Sequence, residues 1–494
     1  AACLLTVCLL TVSVAPAPAA AGTAGKAAPP ATASTHASRE SLATAARLRD
    51  RALADDTAWQ VLEGLTTEVG PRLAGSEADA HAVAWAVARF KALGFDRVWT
   101  EPVTFPKWER HAEAAEVLGP YAQPLRVTAL GGSPGGTVEG EVVRLADFAA
   151  LQAASPAQLQ GRIVFMDFRM HAFRDGRDYG PASTIRTRGP ALAAGKGAIG
   201  FVMRSAATDK QRDPHTGITL FDGNGAQLPA AALSVPDADQ LARLVARGPV
   251  RIRLALDCGW TGTATSYNVI GEVRGRRWPD QYVLIGGHLD SWDLGTGAID
   301  DGAGVAITAA AAHLIAGERR RPARSLRVVA FANEEQGLYG GKAYADAHTA
   351  DVARVQLMAE SDFGADRIYA FNLSLPNAGA PVIAQLAEVL KPLGIAYQPE
   401  GGDPGPDLGP FAVKGAAWAA LRQDGTRYFD LHHSADDTLD KVDPAQLRQN
   451  VAAYAALAWI AADADGGFGS WPHAVTPPQG PAAVISPPPA SPPR

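Results

Sequence analysis

Residues 282–304 read YVLIGGHLDSWDLGTGAIDDGAG. The run Tyr282–Ile285 carries no polar alternation, which is the pattern of a strand covered on both faces rather than one with a wet side. Two glycines follow it, then a polar loop. The Asp300-Asp301-Gly302 triplet opens a second apolar segment whose spacing predicts a helix over 302–316. The same alternation continues downstream: a strand at 326–335 (LRVVAFANEE), a helix at 337–348 and a strand at 355–362 (VQLMAESD), then helices at 379–393 and 444–463. Upstream, YNVIGEVRG (267–275) is a further strand. Buried strands alternating with helices define an α/β fold with a mostly parallel central sheet flanked by helices. In such sheets ligands gather at the carboxyl ends of the strands.

Further upstream, residues 42–67 and 77–93 have helical spacing and Arg97–Val103 reads as a strand. A second module then interrupts the first over 119–256. It holds a buried strand (RIVFMDF, 162–168), a small-residue helix (189–200), a strand (201–205) and a closing helix after Pro236. That order predicts a compact α+β or β-rich insert. The principal domain is expected over 42–118 and 257–466.

Both ends differ from this middle. Residues 3–15 (CLLTVCLLTVSVA) are too short an apolar run to span a bilayer, and small residues and prolines follow them. They read as the core of a secretory signal within 1–20, with cleavage near Ala17 or Ala19. Export to the periplasm or the medium is the expectation. A lipid anchor at Cys8 is disfavoured by the bulk of Val7. Residues 21–41 read as a disordered lead-in and 467–494 as a Pro-rich tail. No segment after the signal reads as a membrane span.

Composition narrows the partners. The 494 residues are 47% hydrophobic, ample for a large core, and 45 Lys plus Arg against 51 Asp plus Glu give a formal charge of −6. That balance gives no electrostatic reason to expect nucleic acid. Arg319, Arg320, Arg321 and Arg324 cluster, but at a helix end leading into a strand, where solvation explains them. Of three cysteines, Cys3 and Cys8 lie in the signal, so Cys258 is left without an intrachain partner.

The chemistry-bearing residues fall at the predicted strand ends. His288 and Asp290 follow the first strand, and Asp300 and Asp301 open the next helix. A lone His is most often a satisfied polar group, and an Asp pair before Gly is most often a cap. Gathered in one glycine-rich loop they carry more weight, because crowded carboxylates are costly unless a cation neutralises them. Glu334 and Glu335 end the second strand, where one could be an oxygen ligand and the other a general base. AESDFG (359–364) offers Glu360 or Asp362, and HHSADDT (432–438) offers His432 or His433. Together these are nitrogen and oxygen donors suited to zinc.

With these motifs in order, the chain resembles the co-catalytic zinc exopeptidases, which include leucyl aminopeptidases, glutamate carboxypeptidase II and carboxypeptidase Q. The resemblance covers roughly residues 42–465, and the HLDSWDLGTGAIDDGAG wording is most similar to the carboxypeptidase Q branch. The insert is similar to a protease-associated domain. The resemblance implies two zinc ions: His288 and Asp362 on one, Glu335 and His433 on the other, and Asp300 bridging. It makes Glu334 the general base, and Asp290 an acceptor from His288 that fixes the ring's tautomer. It leaves Asp301 to shape the turn, and Asp437-Thr438 selects His433 over His432. The ESD wording favours Asp362 over Glu360. In DPGPDLGPF (403–411), Asp407 and Phe411 are candidate pocket residues, although a Pro-Gly loop packed on the core explains them equally well. Short peptides are the implied substrates, and a homodimer is what relatives lead one to expect. Carboxypeptidase, aminopeptidase and dipeptidase action can share such a centre. A non-catalytic binding homologue would lack a ligand or the base, and all are present. Zinc-dependent acyl transfer is a third reading, which the insert disfavours.

Overall fold

The computed structural model describes residues 34–471 apart from 222 and 224. The signal, most of the lead-in and the tail from 472 onward lie outside the described residues. A central sheet runs in the order Ala396–Tyr397, Ile368–Ser374, Trp418–Gln423, Val355–Glu360, Trp278–His288, Arg324–Phe331 and Arg251–Val273. Trp278–His288 pairs in parallel with both neighbours, and the reversals lie toward the margins.

The period of two explains why both faces are dry. Val283 and Ile285 point to one core, with Leu326, Val328, Ala330, Leu357 and Ala359. Tyr282 and Leu284 point to the other, with Val329, Phe331, Val355 and Met358. The first face is covered by helices Arg39–Ala52, Thr57–Gly64, Ala303–Ala316 and Pro444–Asp463. The second is covered by Tyr339–Ala347 and the short Gly409–Ala412. The stretch Ala298–Ala316 is apolar and long enough to cross a membrane by composition, but it is 94% buried inside this protein. Its run of small residues lets it lie close against the sheet and the last helix.

The insert is entered and left through one long antiparallel ribbon. Arg97–Leu118 pairs with Arg251–Val273 from Arg97 opposite Glu272 to Leu118 opposite Arg251. The boundary expected at 256/257 therefore falls inside a strand, not in a linker. The far half of that strand pairs with Gly136–Leu145, which continues through Ile163–Met166, Gly200–Arg204 and Ala230–Leu233. These last four strands are mutually parallel, with helix Tyr179–Gly195 between two of them and helix Val235–Val245 following the last. The insert is thus a small parallel α/β layer rather than a β-rich or segregated α+β unit.

Several boundaries differ from expectation. Part of the lead-in is ordered: His36 bridges Asp465, and the Ser38 hydroxyl caps the helix that starts at Arg39. The helix expected over 42–67 breaks at Leu53–Asp56, where Asp55 accepts from the Thr57 amide at 2.9 Å. At the other end Phe468 is buried and Ser470 bridges Ala416, so the first tail residues belong to the fold. The strands Ile368–Ser374 and Trp418–Gln423 were not anticipated.

One half-buried ion pair on the second face predicts a pH effect. His348 stands 3.0 Å from Glu101 and 3.1 Å from Asp351, tying helix Tyr339–Ala347 to the ribbon. Burial alone would lower its pKa, but the bonds to Glu101 and Asp351 leave it raised. A raised histidine adds stability that is complete below the unfolded value, about 6.5, and lost as pH climbs through the folded value. The thermal midpoint of His348→Gln should lie below wild type at pH 6, and the gap should close toward pH 9. A gap independent of pH would show that the pair contributes nothing through protonation.

Candidate metal centre

Three adjacent strands end together. His288 is the last residue of the central strand and pairs with Phe331, while Glu360 pairs with Gly286. The chain beyond Phe331 turns at Asn333, in the left-handed region (φ 49°) that Asn tolerates. That turn brings Glu334 and Glu335 back over the sheet edge. The Asp290 carboxylate fixes them there, accepting from the Glu334 amide at 3.0 Å and the Glu335 amide at 3.3 Å.

Asp300 is the hub. Its Oδ1 faces His288 Nε2 at 3.1 Å, and its Oδ2 lies 3.2 Å from His433 Nε2. Asp362 Oδ1 joins the first side, 3.5 Å from His288 Nε2, and Glu335 Oε2 joins the second, 2.8 Å from His433 Nε2. One carboxylate thus lies between two histidine–carboxylate pairs. His432 is stacked on His433 at 3.5 Å, with its Nε2 3.4 Å from Asp300 Oδ2, so it too reaches the hub. Asp290 was expected to accept from His288. The ring's Nδ1 instead faces the Asp290 main-chain oxygen at 3.0 Å, with the carboxylate at 3.6 Å. Glu360 turns away: its oxygens accept from the Asp407 and Leu408 amides at 3.3 and 3.1 Å. Asp407 is buried, accepts from the Gly341 amide at 3.0 Å and leaves Oδ2 unpartnered. Phe411 is packed in the second core against Tyr344, so its contact is with the core.

A second set of groups holds the hub in place. Asp301 accepts from the His288 and Gly304 amides, both at 3.0 Å, and a Cβ on Gly287 or Gly304 would overlap its carboxylate. The peptide between Asp300 and Asp301 is cis. Asp437 accepts from the Ile299 amide at 2.6 Å and the Asp300 amide at 3.2 Å. Arg72, fully buried, donates to the carbonyls of Leu289, Thr296 (2.7 Å) and Gly297 (2.9 Å), closing the loop that carries Asp300. Arg72→Met would leave those carbonyls buried without donors, at about 1–3 kcal/mol each. Chemical denaturation should show a loss of about 3 kcal/mol or more. A loss under about 1 kcal/mol would mean that the loop holds itself.

The electrostatics are those of a cluster with too many carboxylates. Burial first, and neighbouring charge second, push Glu334, Asp301, Glu360 and Asp407 well above the usual carboxylate range. Burial likewise pushes Asp362 up to about 6 and Asp437 up to about 7. Burial opposes charge on Asp300 and on His433 as well, but there the partners win. The bond from His288 and the neighbouring His433 and His432 rings hold Asp300 well below its ordinary value, and the Glu335 and Asp300 carboxylates raise His433 to about 9. Asp300 Oδ2 and Glu335 Oε1 are nevertheless buried without a hydrogen bond. Donor atoms of His288, Asp300 and Glu335 lie within 4.8 Å of one another, as do those of His288, Asp301 and Asp362, and of Asp300, His432 and His433. Unsatisfied oxygens converging with imidazole nitrogens at one point are what a bound cation satisfies.

Comparison with known proteins identifies the family. The description Peptidase family M28 matches residues 268–458, which contain every residue of the cluster. Carboxypeptidase Q of Bos taurus is 33% identical over 414 residues, covering 83% of this chain and 86% of that one. The chain belongs to peptidase family M28. The Homo sapiens carboxypeptidase Q is 32% identical over the same shares of both chains. The crystal structure of a peptidase M28 precursor from Shewanella amazonensis superposes with a TM-score of 0.84 at 45% identity, covering 89% of this chain and 99% of that one. An aminopeptidase from Aneurinibacillus, at 22% identity and a TM-score of 0.58, shares the fold.

This M28 peptidase also places residues at the centre that the sequence did not single out. Tyr179 and Arg186 come from an insert helix: Tyr179 Oη lies 3.5 Å from His432 Nε2, and Arg186 donates to that hydroxyl at 2.8 Å. Arg186 is buried and its Nε has no partner. Arg72 and the insert residues His215 and Thr216 were missed too. None of them has a local signature: Tyr179, His215 and Thr216 act on His432 or His433 and Arg72 on Thr296 and Gly297, all distant in the chain, while Arg186 acts through Tyr179.

Proposed function

We propose that this M28 peptidase is an exported zinc exopeptidase of carboxypeptidase Q type, acting on dipeptides or short peptides. The observation that carries the reading is Asp300 lying between the His288–Asp362 and His433–Glu335 pairs. His288 and Asp362 would hold one zinc, Glu335 and His433 the other, and Asp300 both. Zinc held by these residues polarises a carbonyl and lowers the pKa of water to about 7. Glu334 then takes the proton of the attacking water and returns it to the leaving nitrogen. Its burial raises the carboxyl above the usual carboxylate range, the direction that strengthens it as a base. Asp290 keeps Glu334 over the cluster through its amide. The insert at 119–250 serves as a protease-associated module.

Two buried charged groups with a free atom support a preference for short peptides with free ends. Arg186, beside Tyr179, suits a terminal carboxylate, and the free oxygen of Asp407 suits a terminal ammonium. The test is turnover of a free dipeptide against the same dipeptide blocked at either end, each with and without a chelator. Loss only on blocking the carboxyl end means carboxypeptidase action, loss only on blocking the amine means aminopeptidase action, and loss on either means a dipeptidase. Arg186→Met should raise KM for substrates with a free carboxylate by about tenfold or more, the cost of losing one charge-assisted contact. Turnover that a chelator leaves intact would overturn the zinc reading.

A further inference from the structure

Besides the helix that carries Tyr179 and Arg186, a second insert segment reaches the centre. Residues 208–216 run beside 428–433 and are joined to them by hydrogen bonds. Thr208 donates from its amide to the Phe429 carbonyl (3.1 Å) and from its hydroxyl to Asp430 (2.6 Å). The His215 ring donates from Nδ1 to the His432 carbonyl (2.5 Å), and its Nε2 lies 2.8 Å from the Asp209 carboxylate. Thr216 bonds His433 twice: its amide donates to the His433 carbonyl (3.0 Å), and its carbonyl accepts from His433 Nδ1 (3.2 Å).

We infer that this insert segment is a positioning clamp that fixes the tautomer and direction of the His433 ring, with His215 as its keystone. His433 sits at φ 62°, a left-handed conformation uncommon for a residue with a side chain, so the surrounding structure must hold it there. The Thr216 carbonyl accepts a hydrogen bond from Nδ1–H, which favours the tautomer whose Nε2 lone pair faces the Glu335 and Asp300 side. The clamp is itself anchored in the insert. The His215 amide donates to the Ser205 hydroxyl (2.9 Å), Ser205 donates to Leu233 (2.6 Å), and the Thr216 hydroxyl donates to Ala129 (2.8 Å). His215 is buried, and no side chain on the 428–433 loop itself holds the His432 carbonyl. The insert is therefore part of the catalytic unit, not an appendage that only meets substrate.

The inference rests on the zinc reading of the centre, and its test separates the two. Zinc affinity is measured by chelator competition on the full chain, without any peptidase assay. Relative to wild type, His215→Ala should bind zinc about 10–100-fold more weakly, the usual effect of losing an outer partner of a ligand. His215→Asn, which keeps a donor where Nδ1 stands, should recover most of that loss. Asp209→Asn, a milder change, should fall between them and carries the test where His215→Ala fails to fold. Arg253→Gln, on the exposed ribbon surface, should match wild type. Wild-type affinity in both His215→Ala and Asp209→Asn overturns the clamp. A wild-type chain that binds no zinc overturns the reading of the centre itself.

Discussion

Glu334→Gln should lower kcat by about 10²–10⁴-fold, the range a positioned general base contributes, while zinc content stays at the wild-type level. The substitution keeps shape and volume. No hydrogen bond is donated to the Glu334 carboxylate by the described residues; the residue is held through its amide by Asp290. Removing the negative charge therefore breaks no structural bond, and the loss reads the chemistry alone. KM should change little, because the proton moves only after substrate is in place. Elemental analysis and steady-state kinetics on the same preparation decide it. Activity near wild type would remove Glu334 from the mechanism, and loss of zinc would make it a ligand.

Asp300→Asn should have a different signature, losing metal and turnover together. Each Asp300 oxygen faces one histidine–carboxylate pair, so an amide replaces one oxygen and removes the charge that both sides share. The loss should exceed the 10–100-fold typical of an outer-shell change and match that of chelated wild type. The fold should persist, because Asp437 holds this segment through the Ile299 and Asp300 amides. Retained zinc with retained turnover would exclude Asp300 as the shared ligand.

The sheet was legible wherever a strand is apolar on both faces. Trp278–His288, Arg324–Phe331 and Val355–Glu360 announce themselves by composition, and the polar residues after them mark the site. Trp418–Gln423 did not. Its burial alternates, and a sequence of Trp, two Ala, Leu, Arg and Gln fits a short amphipathic segment of either period. Three of the insert's four parallel strands are only four or five residues long, which is too little for periodicity to tell α/β from α+β. In the site, residues sharing a loop with a motif were found. Those acting from afar were not, since Arg72 reaches Thr296 and Gly297 across a separation set by topology alone. Asp290 was found for its position, but its carboxylate orients the Glu334–Glu335 peptide more directly than it orients His288.

The ribbon formed by Arg97–Leu118 and Arg251–Val273 has a kinetic consequence. Its first strand leaves the ribosome long before its partner, and until then its edge has nothing to pair with. Folding of residues 119–250 brings Leu118 and Arg251 side by side, so the insert closes the loop that the ribbon would otherwise close at full entropic cost. The strand carrying His288, the loop carrying Asp300 and the later residues of the cluster all emerge after that point. Assembly is nested, with the inner module first and the outer sheet second. Thr216 precedes His433 in the chain, so the insert's side of their contact is synthesised first.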